Sequence, residues 1–186
     1  RSGIPPTFDS WAEFENFVNA LVRVHAIPDS SKLWWDARLN PRYPTLEFRV
    51  CDVCTRIDEA VCIAAIFQAI VFKLWKLRRD NMTFRLYPQA FIEENKWRAV
   101  RYGVAGKLID WGKQEELPAR DLIRELIEWF IGDVVDELGT RKEVEYAYRI
   151  LDEGSSADRQ LRVYQETGSL NAVVDHLIRE TEEGVW

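Results

Sequence analysis

Leu33–Cys51, LWWDARLNPRYPTLEFRVC, carries the most polar chemistry of the chain in its most strand-like setting. Within it Leu46, Phe48 and Val50 alternate with Thr45, Glu47 and Arg49, and a pleated strand sends alternate side chains to opposite faces. Glu47 and Arg49 therefore point the same way. Trp34, Asp36 and Arg38 share one face of a preceding strand by the same rule, and the segment Leu39–Pro44, with two prolines, is long enough for a hairpin loop. Pro44 falls at a strand start, where a missing N–H is tolerated. The prediction is an antiparallel pair of strands.

If both polar faces line one concavity, two carboxylates and two guanidinium groups meet over an apolar floor. A carboxylate oxygen suits Mg²⁺, which keeps water and phosphate oxygens as its other ligands, and the arginine fork matches a phosphoryl or carboxylate group bidentately. The alternative is a two-faced sheet whose outer side is solvated and salt-bridged. The residue pattern leaves both readings open.

Before this hairpin, Ser10 with Glu13 makes a capping box, and Trp11, Phe14, Phe17, Val18, Leu21 and Val22 follow at helical spacing to about Val24. His25, near Pro28, reads as a helix-end or loop residue rather than a catalytic base. After the hairpin, Thr55 and Asp58 offer a helix start, and Ala60–Phe72 is apolar on every side except Gln68. Such a helix is expected to be buried, here behind the hairpin sheet, and the run is too short to span a bilayer. Lys73, Lys76, Arg78 and Arg79 close it with favourable charge.

A second helix, Tyr87–Tyr102, carries Glu94, Asn95, Arg98 and Arg101 with Phe91, Ile92 and Trp97 as apolar anchors. Asn95 and Arg98 lie one turn apart, able to hold a carboxylate or phosphate jointly; the alternative is a surface salt bridge with Glu94. Val104–Trp111, punctuated by glycines, reads as a short hairpin. The last third is helical: Pro118 opens a helix that Gly139 ends, Thr140 with Glu143 caps the next as far as Gly154, Ser155 with Asp158 caps a third as far as Gly168, and Ser169 begins a fourth. These four helices are expected to form a bundle-like appendage bracing the sheet. His176, among acidic neighbours, reads as exposed.

The chain of 186 residues lies within the range of one domain. The expected division is a sheet with active-site helices over 1–117 and a helical appendage over 118–186. A hydrophobic content of 47% with eight tryptophans excludes disorder, and a net charge of −6 argues against a general nucleic-acid binder. Cys51, Cys54 and Cys62 cannot complete a four-ligand zinc site without His25 or His176, neither of which is close in sequence, so reduced thiols are expected. No secretory leader is visible, and no Gly-rich phosphate loop, G-x-S-x-G elbow or H-E-x-x-H motif occurs.

Residues 34–60, WWDARLNPRYPTLEFRVCDVCTRIDEA, followed by the long apolar helix, by IEENKWRAVRYG at 92–103 and by GSSADRQL at 154–161, resemble the carboxylate–amine ligases related to glutamate–cysteine ligase type 2. A more distant likeness is to glutamine synthetase, in which a strand of the form E-x-R followed by an Asp lines the active-site sheet; here the residues are Glu47, Arg49 and Asp52. The resemblance implies an α+β fold of the glutamine synthetase-like type, with an antiparallel active-site sheet backed by helices and a C-terminal helical bundle. It also implies ATP and Mg²⁺ as cofactors, and amide formation through an acyl phosphate, typically on the γ-carboxylate of glutamate. On that basis Glu47 is expected as a metal ligand, Arg38 and Arg49 as catalytic contacts to phosphoryl or carboxylate oxygens, and Asn95, Arg98 and Asp36 as substrate-side residues, with Asp36 orienting Arg38.

Members of the resembled family are roughly twice this long, and the chain starts RSGIPP without a methionine. It reads as a C-terminal half whose partners are a carboxylate, an amine and the missing N-terminal half, in the cytoplasm, with neither nucleic acid nor membrane. A homo-oligomer, a non-catalytic scaffolding half, and a ligase using an amine other than cysteine are the open alternatives.

Overall fold

Ser10 accepts a hydrogen bond from the Glu13 N–H and so starts helix α1, Trp11–Arg23. Glu13 reaches back to the Asp9 N–H rather than to Ser10 itself, one residue earlier than in the expected box. Along α1, Phe14, Phe17, Val18, Leu21 and Val22 pack with Phe8 on a small core of Ile27, Leu33 and Trp35. His25 ends the helix at φ 57°, a left-handed position, and is exposed.

The computed structural model describes residues 1–183 and divides into two compact units, 1–52 and 53 onward. In the first unit the expected first strand is interrupted. Its start, β2 (Trp34–Trp35), pairs in parallel with β1 (Ser2–Gly3), and its end, β3 (Ala37–Leu39), pairs antiparallel with β4 (Leu46–Phe48). Asp36 lies at the joint, donating its N–H to Gly3 and accepting from the Arg49 N–H. The register sets Arg38 opposite Glu47. The predicted hairpin is present, but the chain switches partner strands at Asp36, because residues 1–3 supply a second ladder.

The second unit is dominated by helices. Its longest is α2, Ile57–Arg79, which lacks the expected side-chain cap: the Thr55 hydroxyl bonds Ser156 and Glu180 instead. At 23 residues α2 is long and apolar enough to cross a membrane by length and composition, beyond the Ala60–Phe72 run that looked too short. It is not buried all round. Glu59, Cys62, Ala65 and Ala69 are its only buried residues, while Val61, Val71, Leu74 and Trp75 are exposed.

Helix α3, Gln89–Tyr102, is followed by the hairpin β5 (Lys107–Asp110) and β6 (Glu115–Pro118), which extends beyond the expected Trp111. The expected anchors Phe91, Ile92 and Trp97 are exposed, and Phe91 is covered on one side by the stacked ring of Trp111, 4.0 Å away. Pro118 opens α4 (Ala119–Glu125), but the expected single helix to Gly139 is broken: a π turn over Leu126–Phe130, marked by the Ile131 N–H on the Leu126 carbonyl, precedes α5 (Gly132–Leu138). Gly139, at φ 69°, ends it.

Thr140 precedes α6 (Arg141–Glu153) without a side-chain cap, contrary to expectation. Ser155 with Asp158 forms a complete capping box on α7 (Ser156–Thr167), and Ser169 caps α8 (Leu170–Glu182). The main core joins α2 to the later helices: Cys62, Ala65 and Ala69 meet Ile127, Ile131, Val134, Val135, Val144 and Ala147. Helix α6 pairs chiefly with α2 and shares its core, whereas α7 pairs chiefly with α8. Within the second unit α2 packs helix on helix, since the small residues Ala65 and Ala69 let α6 approach closely. Strands occur as three separate two-stranded ladders among the described residues.

Candidate active site: an arginine and glutamate cluster on the first hairpin

The cross-strand register brings Arg38 and Glu47 together, and Arg38 Nη2 donates to Glu47 Oε2 at 2.5 Å. A second set of bonds fixes the guanidinium from behind: Nη1 donates to the carbonyls of Ser31, at 2.6 Å, and Leu33, at 3.2 Å. The Arg38 side chain is only 10% exposed, and its Nε is buried without a hydrogen-bond partner among the described residues. Such an atom is costly to leave unmatched.

The other Glu47 oxygen, Oε1, accepts from Asn40 Nδ2 at 2.5 Å. Asn40 also accepts from the Arg42 and Tyr43 N–H groups, so one amide ties the hairpin loop to the carboxylate. Hydrogen bonds from Asn40 and then Arg38 hold the Glu47 carboxyl below the usual carboxylate range. Arg49, 42% exposed, sits with Nη1 3.8 Å from Glu47 Oε2. Two guanidinium groups thus flank one carboxylate. The surplus is positive, which suits an anionic oxygen.

A carboxylate offers about four lone-pair sites, so Glu47, with two donors in place, can still give one oxygen to a cation. It fits Mg²⁺ as a single ligand and no more. Among the described residues no group of three or more His, Cys, Asp or Glu is placed to hold a metal. The Cys62 thiol is pushed by burial up to about 11, and its Sγ donates to the Val144 carbonyl. That thiol is a packing group.

The expected substrate-side residues of the second unit are otherwise engaged. Asn95 brackets the β5 backbone, donating to the Ile109 carbonyl and accepting from the Ile109 N–H, both at 2.8 Å. Arg98 pairs with Glu94 at 2.8 Å and with Glu116 at 2.6 Å. This is the salt-bridge alternative, and binding of an anion by Arg98 would displace one of those carboxylates. Asp36, half-buried, contributes its backbone to the strand joint, while Glu47 and two carbonyls orient Arg38. The structure therefore brings together Arg38, Glu47 and Arg49 within the first unit, and places Asn95 and Arg98 in the second.

Two groups escaped the sequence reading. Asn40 lies in the loop, and its signal was an Asx residue beside a Pro in a tight turn. The other is a buried ionic cluster, in which Arg159 bonds Glu59 at 2.8 Å and Glu180 at 2.6 Å, and Arg56 reaches Glu180 at 3.0 Å and Glu153 at 2.9 Å. His176, read as exposed, is half-buried with Nε2 3.7 Å from Glu180.

The sequence matches the model of glutamate-cysteine ligase family 2 (GCS2) over residues 1–176. The chain belongs to this family. Among its relatives, proteins of Herpetosiphon aurantiacus, Solibacter usitatus and Roseiflexus sp. all carry the name "Putative glutamate--cysteine ligase 2". They are 57%, 53% and 56% identical to it over essentially its whole length. In each case the match covers 48% of the relative. The chain thus spans about half the length of these relatives, and this family member carries the Arg38, Glu47 and Arg49 cluster in the half it represents.

Proposed function

We propose that the chain is the C-terminal half of an ATP-dependent carboxylate–amine ligase that forms a γ-glutamyl amide, as the relatives' name suggests for glutamate and cysteine. The observation that carries this reading is the hairpin cluster, two arginines held about one carboxylate with a positive surplus. A carboxylate is a poor electrophile until one oxygen becomes a leaving group, so an acyl phosphate is the proposed intermediate. Negative charge builds on the phosphoryl oxygens during transfer, and fixed cationic donors are most effective when placed beforehand. Arg38 is fixed by three hydrogen bonds, to the Ser31 and Leu33 carbonyls and to Glu47, which Asn40 in turn ties to the loop, whereas Arg49 is more exposed and able to follow the ligand.

Glu47 would hold Mg²⁺ through one oxygen, and the ion would offset phosphoryl charge there. Glu47 also keeps Arg38 oriented. Asn95 is a positioning residue in this reading, holding β5 against α3, and Arg98 would contact substrate only by exchanging a carboxylate partner. The remaining metal and nucleotide ligands would come from the other half, and the protein would work in the cytoplasm. An amine other than cysteine is the nearest variant, and competition among amines in an ATP-dependent phosphate-release assay separates the two.

The test uses Glu47→Gln and Arg49→Lys in a polypeptide with the relatives' full length. Glu47→Gln keeps shape and removes charge, so turnover should fall steeply, with at most partial recovery at high Mg²⁺. Arg49→Lys keeps charge and loses the planar fork, so turnover should fall without a comparable loss of metal affinity. Near-normal turnover in both variants would return the hairpin to an ordinary solvated face.

A further inference from the structure

The loop of the first hairpin is built around one side chain. Asn40 and Thr45 stand at its mouth, the Asn40 N–H donating to the Thr45 carbonyl at 3.0 Å. Between them Pro41 and Pro44 each fix a backbone φ. Asn40 Oδ1 accepts the N–H groups of Arg42, at 2.8 Å, and Tyr43, at 3.0 Å. A side-chain amide has one acceptor end and one donor end. With the oxygen turned to two backbone donors, the nitrogen faces the other way, and there it donates to Glu47 Oε1 at 2.5 Å. The turn thus sets the amide's orientation and delivers a donor to the carboxylate.

Glu47 is thereby gripped at both oxygens, since Arg38 Nη2 donates to Oε2 from the facing strand. The terminal torsion of a glutamate is broad, so a carboxylate held at one oxygen can still swing. A second donor on the other oxygen fixes its plane. That plane matters beyond Glu47. One terminal nitrogen of Arg38 is held by the Ser31 and Leu33 carbonyls, and Glu47 holds the other. Bonds therefore run from the turn through Asn40 and Glu47 to the guanidinium. All of these residues lie within the first unit.

We propose that Asn40 is a positioning residue for the ligase reaction: its amide fixes the plane of the Glu47 carboxylate and, through it, the guanidinium of Arg38. The inference rests on the ligase reading of the hairpin, because a fixed guanidinium aids catalysis only where charge develops against it. Holding the turn and gripping Glu47 are separable roles. Aspartate at this position keeps an oxygen for the Arg42 and Tyr43 N–H groups but sets a second carboxylate against Glu47. Serine also accepts from turn N–H groups, and its hydroxyl is too short to reach Glu47.

The experiment uses a polypeptide with the relatives' full length and makes Asn40→Asp and Asn40→Ser, each alone and together with Glu47→Gln. In Asn40→Asp, kcat and kcat/KM for ATP should fall together by about tenfold or more, and in Asn40→Ser by about threefold or more. Melting temperatures should stay within about 2 °C of the parent, because both variants keep the turn. In the Glu47→Gln background, adding Asn40→Asp should change kcat by less than about twofold, since the carboxylate it disturbs is gone. Heteronuclear NMR of the Arg38 guanidinium, assigned with Arg38→Lys, gives a readout apart from turnover. Its terminal N–H signals should be separate in the parent and merge in both Asn40 variants. Losses that multiply in the double variants, or parent-like Arg38 signals in both single variants, would overturn the inference and leave Asn40 a turn residue. Turnover within about twofold of the parent in both Asn40 variants, where Glu47→Gln is inactive, would overturn it while the ligase reading stands. Normal turnover in Glu47→Gln would instead remove the ligase reading, and this proposal with it.

Discussion

Replacing Arg159 by methionine removes the charge that joins α2, α7 and α8 while keeping much of the side-chain bulk. Arg159 is 6% exposed and is held by Glu59, Glu180, the Thr55 hydroxyl and the Gly154 carbonyl. After the change Glu180 keeps Arg56 and Thr55, but Glu59, 4% exposed, loses its guanidinium partner. Removing one side of a buried pair costs about 3–5 kcal/mol, because the remaining charge stays desolvated. For a chain of this size each kcal/mol is worth about 2–4 °C in melting temperature, so the expected drop is on the order of 6–20 °C. Urea unfolding should show a lower midpoint with an unchanged slope. Adding Glu59→Gln to Arg159→Met should recover a substantial part of the loss, since the orphaned charge is then gone. A loss below about 1 kcal/mol in the single variant, or no recovery in the double, would refute the idea that this cluster is an interdependent buried network.

The same cluster sets an acid limit on stability. Burial alone would raise the Glu180 carboxyl, but Thr55 and Arg159 outweigh it and hold the group below its ordinary value. With a depressed folded-state pKa, the stabilisation is fully present above the unfolded value of about 4.3 and is lost as pH falls through the folded pKa. Thermal melting followed from pH 7 to pH 3 should show this loss, and a smaller one in Glu180→Gln. Asn95→Ala should cost about 1–3 kcal/mol, because both backbone groups of Ile109 lose their partner; a shift within 0.5 kcal/mol, roughly the surface norm, would mean water replaces the amide freely. Adjacent substitutions on α2 should differ sharply: Ala65→Asp, in the core, should cost several kcal/mol, on the order of an unpaired buried charge, while exposed Ala64→Asp should cost less than about 1 kcal/mol. Equal losses, read from urea midpoints, would contradict the one-sided packing of α2.

What the sequence determined by itself is local. The capping box of Ser155 and Asp158, the helix ends at Gly139 and Gly168, and the hairpin of β3 and β4 depend on bonds between residues a few positions apart, so their signals lie side by side in the chain. The likeness to the ligase family was legible for a related reason, since WWDAR, EENKWRAVRYG and GSSADRQL are contiguous strings. Composition showed that α2 is apolar on nearly every side, but not which side the chain covers. That depended on α6, some 80 residues later, presenting Val144 and Ala147 to Cys62, Ala65 and Ala69. The cluster of Arg38 and Glu47 needed the cross-strand register, which a strand pattern leaves free until a turn and a partner set it. The bond between Glu59 and Arg159 spans 100 positions, and neither residue announces burial, because a charged side chain reads as surface until its counter-charge is brought beside it by the packing of distant helices.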